Sequence, residues 1–268
     1  MRPTSLWICG GLDPTGGAGV LRDLWTARSF APELAAAATV SAWTEQGHGA
    51  PAVAVARPLA AIVADLQGFA RPAAIKLGLT PTTLVDEGLA AAIQGLADGA
   101  PIVVDPVLAA SDGGDLGASV DGLLRLGAAA TLFTPNGLEA AALAGAVDPA
   151  SWIPRLRERL GDAVAILIKG GHTARDEAAD TVVDVLIDRE GTVEFRRPRR
   201  PGADPRGTGC ALATAIACGL ARGAPLRPSI AAAIAWLDDA RTRCHLGPDG
   251  RPHLPLADAP RGGAGDPA

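Results

Sequence analysis

Short apolar runs rich in β-branched residues alternate along this chain with longer segments rich in alanine and leucine, and few folds accept that rhythm. Strands are expected over Ser5–Cys9, Ala36–Ser41, Ala73–Leu77, Ile102–Asp105, Thr131–Phe133 and Val164–Lys169. Helices are expected near Gly17–Phe30, Leu59–Phe69, Thr82–Leu96, Leu138–Leu143, Trp152–Leu160, Cys210–Ala221 and Ser229–Arg243. A strand–helix–strand order calls for a mainly parallel central sheet with helices on both faces, an α/β fold. In such folds ligands collect beyond the carboxyl ends of the strands. One interruption stands out: Thr181–Ile187, the turn Asp188-Arg189-Glu190-Gly191 and Thr192–Arg196 read as a late β-hairpin, an antiparallel edge beside the ligand. With no repeat and no dividing linker, residues 1–258 are expected to form one domain. The Pro-, Gly- and Asp-rich stretch after Gly247 reads as loose, above all over residues 259–268.

Charge and cysteine usage exclude several classes. The net charge is −5, and Arg196, Arg197, Arg199 and Arg200 form the one basic cluster, read as a solvated strand end rather than a nucleic-acid patch. Cys9, Cys210, Cys218 and Cys244, and His48, His172, His245 and His253, lack metal-ligand spacing. The first residues carry too short an apolar run for a signal peptide, and no stretch approaches the roughly 20 apolar residues of a membrane span. A soluble, cytoplasmic protein with reduced thiols and no nucleic-acid or membrane partner is expected.

Polar or glycine-rich sequence follows four of the expected strands. Gly10, Gly11, Gly16, Gly17 and Gly19 crowd the first such loop, with Asp23 one turn into the helix beyond it. Asp105 leaves another strand, and Thr134-Pro135-Asn136 leads to Glu139 after a third. Asp105 and Glu139 suit Mg²⁺, a hard cation that prefers oxygen; Asn136 and Glu139 equally suit an N-cap and its capping partner. Lys169 opens a Gly170-Gly171-His172 turn, facing a phosphate or simply solvent. Finally, Gly207-Thr208-Gly209 runs into an alanine-rich helix with Cys210 at its entrance. The first amides of a helix lack internal partners and favour an anion, and the same field favours a thiolate on Cys210. Anion-binding glycines, two acids and a lysine on one edge are the parts that phosphoryl transfer from a nucleotide needs.

In this order, Gly16-Gly17-Ala18-Gly19 with Asp23, Asp105-Pro106-Val107, Thr134-Pro135-Asn136 with Glu139, Lys169-Gly170-Gly171-His172 and Gly207-Thr208-Gly209-Cys210 resemble the hydroxymethylpyrimidine/phosphomethylpyrimidine kinases. These are thiamine-biosynthetic members of the ribokinase-like superfamily. The resemblance runs from Ile8 to about His253. It implies a three-layer α/β/α fold, ATP and Mg²⁺ as cofactors, and a homodimer. It also implies two phosphorylations, of 4-amino-5-hydroxymethyl-2-methylpyrimidine and then of its monophosphate. By the same resemblance, Gly207, Thr208 and Gly209 form the anion hole and Cys210 is the general base. Asp23 and Gln46 hydrogen-bond the aminopyrimidine, and Gly11, Leu79 and Val107 line its pocket. Asn136, Lys169 and Thr208 lie near the ATP phosphates, while Asp105 and Glu139 position Mg²⁺.

The chain departs from the family pattern around the acceptor. Arg206 stands where histidine is common, Asp204-Pro205 replaces Asn-Thr, and Ala211 follows the cysteine where threonine is frequent. Glu45-Gln46-Gly47-His48 replaces Ala-Gln-Asn-Thr, Leu12 stands for a hydroxyl residue and Trp25 for a lysine. Pyridoxal or pyridoxine, which share the hydroxymethyl group, are therefore alternative acceptors. A non-catalytic pyrimidine or nucleotide sensor on the same fold is the alternative from another class.

Overall fold

A computed structural model describes residues 5–45, 53–109, 114–171, 180–200 and 204–256. Gln46 and the segment 257–268 lie outside the described residues. The strands are β1 (Ser5–Leu12), β2 (Ala35–Glu45), β3 (Val53–Ala56), β4 (Pro72–Leu77), β5 (Ile102–Val104), β6 (Leu132–Phe133), β7 (Ala165–Ile168), β8 (Thr181–Asp188), β9 (Gly191–Pro198), β10 (His245–Leu246) and β11 (Pro252–His253). The helices are α1 (Gly19–Phe30), α2 (Leu59–Gly68), α3 (Thr82–Asp86), α4 (Leu89–Ala97), α5 (Val120–Gly127), α6 (Gly137–Ala144), α7 (Trp152–Leu160), α8 (Thr208–Ala221) and α9 (Leu226–Ala240).

One nine-stranded sheet, ordered β3-β2-β1-β4-β5-β6-β7-β8-β9, organises the chain. The strands from β2 to β7 pair in parallel. At one edge β3 pairs antiparallel with β2, and at the other the β8–β9 hairpin continues antiparallel from β7. Because side chains alternate along a strand, β1 sends Trp7 and Cys9 into the core beneath α2–α7, and Leu6 and Ile8 into the core beneath α1, α8 and α9. Strands covered on both faces are apolar almost throughout, which is why the apolar runs marked them.

The differences from expectation have local causes. The helix expected over Thr82–Leu96 is broken in two at Gly88, whose φ of +102° no helix interior accepts. Helix α9 begins at Leu226, because Pro228 falls in its first turn where no amide hydrogen bond is lost. Helix α5 and strand β3 were not foreseen. The signal for α5 was Ser119, whose side chain accepts from the Gly122 amide as an N-cap. The segment after Gly247, expected to be loose, is held as far as it is described: β10 pairs with β11, and His253 and Leu254 are buried.

A charge sits inside this apolar sheet. Lys76 lies on β4 two residues from Ala74, so both face α1 and α8, and its side chain is 0% exposed. Its ammonium donates to Asp23 Oδ2 at 2.6 Å, and the Thr214 hydroxyl of α8 donates to Asp23 Oδ1 at 2.8 Å. The pair thus ties β4, α1 and α8 together. Breaking a buried pair by removing one partner strands a charge. Lys76→Met is therefore expected to lower the urea-unfolding free energy by about 3–5 kcal/mol. The double variant Asp23→Asn with Lys76→Met should recover at least half of that loss; no recovery would contradict the pairing.

Candidate active site

Every polar strand exit opens on one edge of the sheet, into a cleft of about 350 Å³. The first wall is the loop between β1 and α1. Asp13 folds it: Oδ1 accepts from the Thr15 amide and hydroxyl at 2.9 and 2.8 Å, and Oδ2 from the Ala18 amide at 3.0 Å. Gly19 closes the loop with φ +63°, and a Cβ there would lie 2.2 Å from the Gly11 carbonyl oxygen. Only glycine meets both conditions.

The opposite wall is the amino end of α8. Gly207 has φ +74°, and a Cβ would stand 2.1 Å from the Gly17 carbonyl oxygen. The two glycine segments therefore touch backbone to backbone. The first return bond of α8 runs from the Ala211 amide to the Gly207 carbonyl at 2.8 Å. The amides of Thr208, Gly209 and Cys210 thus have no partner within the helix and are placed to bind an anion.

Between these walls lie the charges. Lys169, 6% exposed, donates from Nζ to Asp105 Oδ1 at 2.7 Å and stands 3.9 Å from Glu139 Oε2. It is a buried member of the site rather than a solvated strand end. Asn136 and Glu139 do form a capping box, with Glu139 Oε2 accepting from the Asn136 amide at 2.7 Å and Asn136 Oδ1 from the Glu139 amide at 2.9 Å. The capping role and a place on the cleft wall coexist. Burial pushes the Asp105 carboxyl up, but Lys169 and Lys76 overcome it and hold the group below its usual range. Burial pushes the Glu139 carboxyl up to about 7 against the pull of Lys169.

Eleven of the thirteen residues given a site role by the resemblance line the cleft: Gly11, Leu79, Val107, Asp105, Asn136, Glu139, Lys169 and the run Gly207 to Cys210. Asp23 is corrected. It is fully buried beneath the cleft with its carboxylate oxygens engaged by Lys76 and Thr214, so it supports the floor instead of facing a ligand. The Cys210 thiolate is corrected as well. Burial pushes the thiol up to about 12; Lys76 acts against this, but Asp23 and Asp105 reinforce it. The favourable helix terminus is outweighed, and the thiol donates to Asp105.

Two participants, Lys76 and Asp184, escaped sequence reasoning. Lys76 reaches the cleft floor from the penultimate position of β4; a lysine inside an apolar strand was its signal. Asp184, fully buried on β8, accepts from the Gly170 amide at 2.8 Å and pairs with Arg197, which is also 3.3 Å from Asp238. Arg197 is therefore drawn inward, and only part of the arginine cluster is a solvated strand end. Arg206 joins Asp13, at 2.9 Å.

A parallel α/β sheet with a glycine-walled cleft at its carboxyl edge, an anion-ready helix terminus and paired acids holds the parts that phosphoryl transfer from a nucleotide needs. The profile of the phosphomethylpyrimidine kinase family matches residues 13–253, and the chain belongs to that family. It is 34% identical over 253 residues to a hydroxymethylpyrimidine/phosphomethylpyrimidine kinase of Rhizobium meliloti, covering 86% of this chain and 87% of that protein. A Streptomyces coelicolor enzyme of the same name is 34% identical over 256 residues, covering 90% of each. Among solved structures, a Staphylococcus aureus pyridoxal kinase in complex with AMP-PCP and pyridoxal superposes with a TM-score of 0.78. At 20% identity, covering 96% of this chain and 95% of that one, it speaks for the fold.

A thiol held near pKa 12 is protonated at neutral pH. Alkylation of Cys210 by iodoacetamide, followed by peptide mass spectrometry, should be slow at pH 7.5. Its rate should rise about tenfold per pH unit through pH 10; a plateau below pH 9 would contradict the assignment.

Proposed function

We propose that this chain is an ATP- and Mg²⁺-dependent kinase of thiamine biosynthesis. It phosphorylates the hydroxymethyl group of 4-amino-5-hydroxymethyl-2-methylpyrimidine, then the monophosphate to the diphosphate. The observation that carries the reading is one cleft lined together by Cys210 at the mouth of α8, by Gly207–Gly209 and by Gly11, Leu79 and Val107. Family membership and the names of relatives at 34% identity support the acceptor. A cytoplasmic homodimer belongs to the same proposal; among the described residues no helix is long and apolar enough to cross a membrane.

The residues fit the cofactors. Glycine amides and the α8 dipole suit a transferred phosphoryl group. Asp105 and Glu139 approach one ammonium and so lie close enough to share a cation, and Mg²⁺ typically takes one or two carboxylates together with phosphate oxygens. ATP supplies the phosphoryl group, and Mg²⁺ neutralises its charge. The chain does the rest. Gly11, Leu79 and Val107 orient the ring so that its hydroxymethyl oxygen meets Cys210. Cys210 Sγ takes the hydroxyl proton as general base. Since the resting thiol is protonated, it acts from its minor thiolate form, whose proton has gone to solvent. Lys169 and the amides of Thr208 and Gly209 hold the phosphoryl oxygens where charge develops.

The test is product analysis by mass spectrometry, with ATP, Mg²⁺ and either hydroxymethylpyrimidine or pyridoxal. Pyrimidine mono- and diphosphate are expected; pyridoxal phosphate alone would reassign the acceptor. Cys210→Ala should lower kcat about 10²-fold or more, while the KM for ATP stays within twofold. Near-full turnover would remove Cys210 from the proton path.

A further inference from the structure

Arg206 is one of the residues by which this chain departs from the pattern beside the phosphate loop, and its surroundings are built rather than incidental. Its side chain is 4% exposed; Nη2 lies 2.9 Å from Asp13 Oδ2 and Nη1 3.2 Å from Asp249 Oδ2. The Arg206 amide donates to the Pro252 carbonyl at 2.8 Å. Asp249 Oδ1 is in turn 2.8 Å from His253 Nε2, and that imidazole is 1% exposed. A Cβ on Gly17 would lie 2.7 Å from His253 Cε1 and 3.0 Å from Arg206 Nε, so both side chains pack directly under the first glycine loop. Arg22 fastens the same segment from the other side, donating to the Leu254 and Pro255 carbonyls at 3.0 and 2.9 Å.

We propose that Arg206 is a positioning residue that sets the spacing between the acceptor loop and the phosphate loop, and that the C-terminal segment around Asp249 and His253 is a working part of the active site. A guanidinium is a planar fork that can hold two carboxylates at fixed angles, which an ammonium cannot. One arm grips Asp13, the residue whose other bonds to Thr15 and Ala18 shape the acceptor loop. The other arm forms an ion pair, without a hydrogen bond, with Asp249 Oδ2 at 3.2 Å on the C-terminal segment. The backbone of Arg206 leads straight into Gly207, Thr208 and Gly209. Any loosening of the fork therefore moves both walls of the cleft at once, and with them the Gly19 amide, which donates to Cys210. Placement errors of this kind slow the chemical step more than they weaken binding of either partner.

The inference rests on the proposed phosphoryl transfer for its kinetic arm and on structure alone for its exchange arm. Arg206→Lys keeps the charge and loses the fork. In this variant, amide hydrogen exchange should accelerate at least tenfold together in peptides covering residues 13–19, 207–210 and 245–253, with α2–α7 unchanged. Its kcat for the pyrimidine should fall at least tenfold while the KM for ATP stays within twofold. Asp249→Asn should act in the same direction, and the double variant should be no slower than the worse single one. Unchanged exchange in residues 13–19, or fully additive losses in the double variant, would overturn the proposal. If the wild type turns over no pyrimidine, the proposed function fails, and the exchange pattern still decides the clamp.

Discussion

Where the Gly17 carbonyl meets the α-carbon of Gly207, two distant parts of the chain come into backbone contact with no room for a side chain. The cleft depends on that contact. It brings the loop after β1, rich in glycine and folded by Asp13, against the free amides of α8. Acceptor chemistry and anion binding then share one small volume with Cys210 at the seam. Neither wall is made by one element alone. The sheet brings the strand exits to a common edge, and packing of α1 against α8 on one face of the sheet brings the two glycine segments together.

A second constraint is electrostatic. Charged side chains are buried around the cleft in matched sets: Lys76 with Asp23, Lys169 with Asp105 and Glu139, Arg197 with Asp184, and Arg206 with Asp13 and Asp249. Buried pairs of this kind are a poor source of stability, because desolvation offsets their attraction. Their value here is geometric and local. Each set ties the carboxyl end of a strand to a neighbouring element, and Lys76, Asp23 and Asp105 set the field at the Cys210 thiol. Lys76 favours its anion, whereas Asp23 and Asp105 oppose it, and burial decides the balance in favour of the neutral thiol.

Much of this was legible in the sequence, for reasons that mark the limits of such reading. Strands buried on both faces are apolar throughout, so the six parallel strands were visible, as was the late hairpin through its Asp188–Gly191 turn. Residues at strand exits, such as Asp105, Asn136 and Lys169, were legible because polar groups there have few structural excuses. Asp23 was misread because its partner Lys76 lies on a strand, β4, far from α1 in the chain, and spacing along a helix does not reveal what a carboxylate meets across a fold. The helix terminus at Cys210 was visible; the burial that outweighs it was not. Composition made the C-terminal stretch look loose, whereas the anchors that hold it as far as it is described, Arg22 and Arg206, lie far upstream. Gln46 lies outside the described residues, so its expected contact with the pyrimidine remains a proposal.

If the pyrimidine sits against Cys210, the thiol should be shielded when the acceptor is bound. The decisive measurement is the rate of Cys210 carboxamidomethylation at pH 9.5, followed by peptide mass spectrometry with and without saturating hydroxymethylpyrimidine in the presence of a non-hydrolysable ATP analogue. At least a fivefold slowing confined to Cys210 is expected, with Cys244 unaffected. An unchanged Cys210 rate, with acceptor binding verified by calorimetry, would place the pyrimidine elsewhere and contradict the assignment of this cleft.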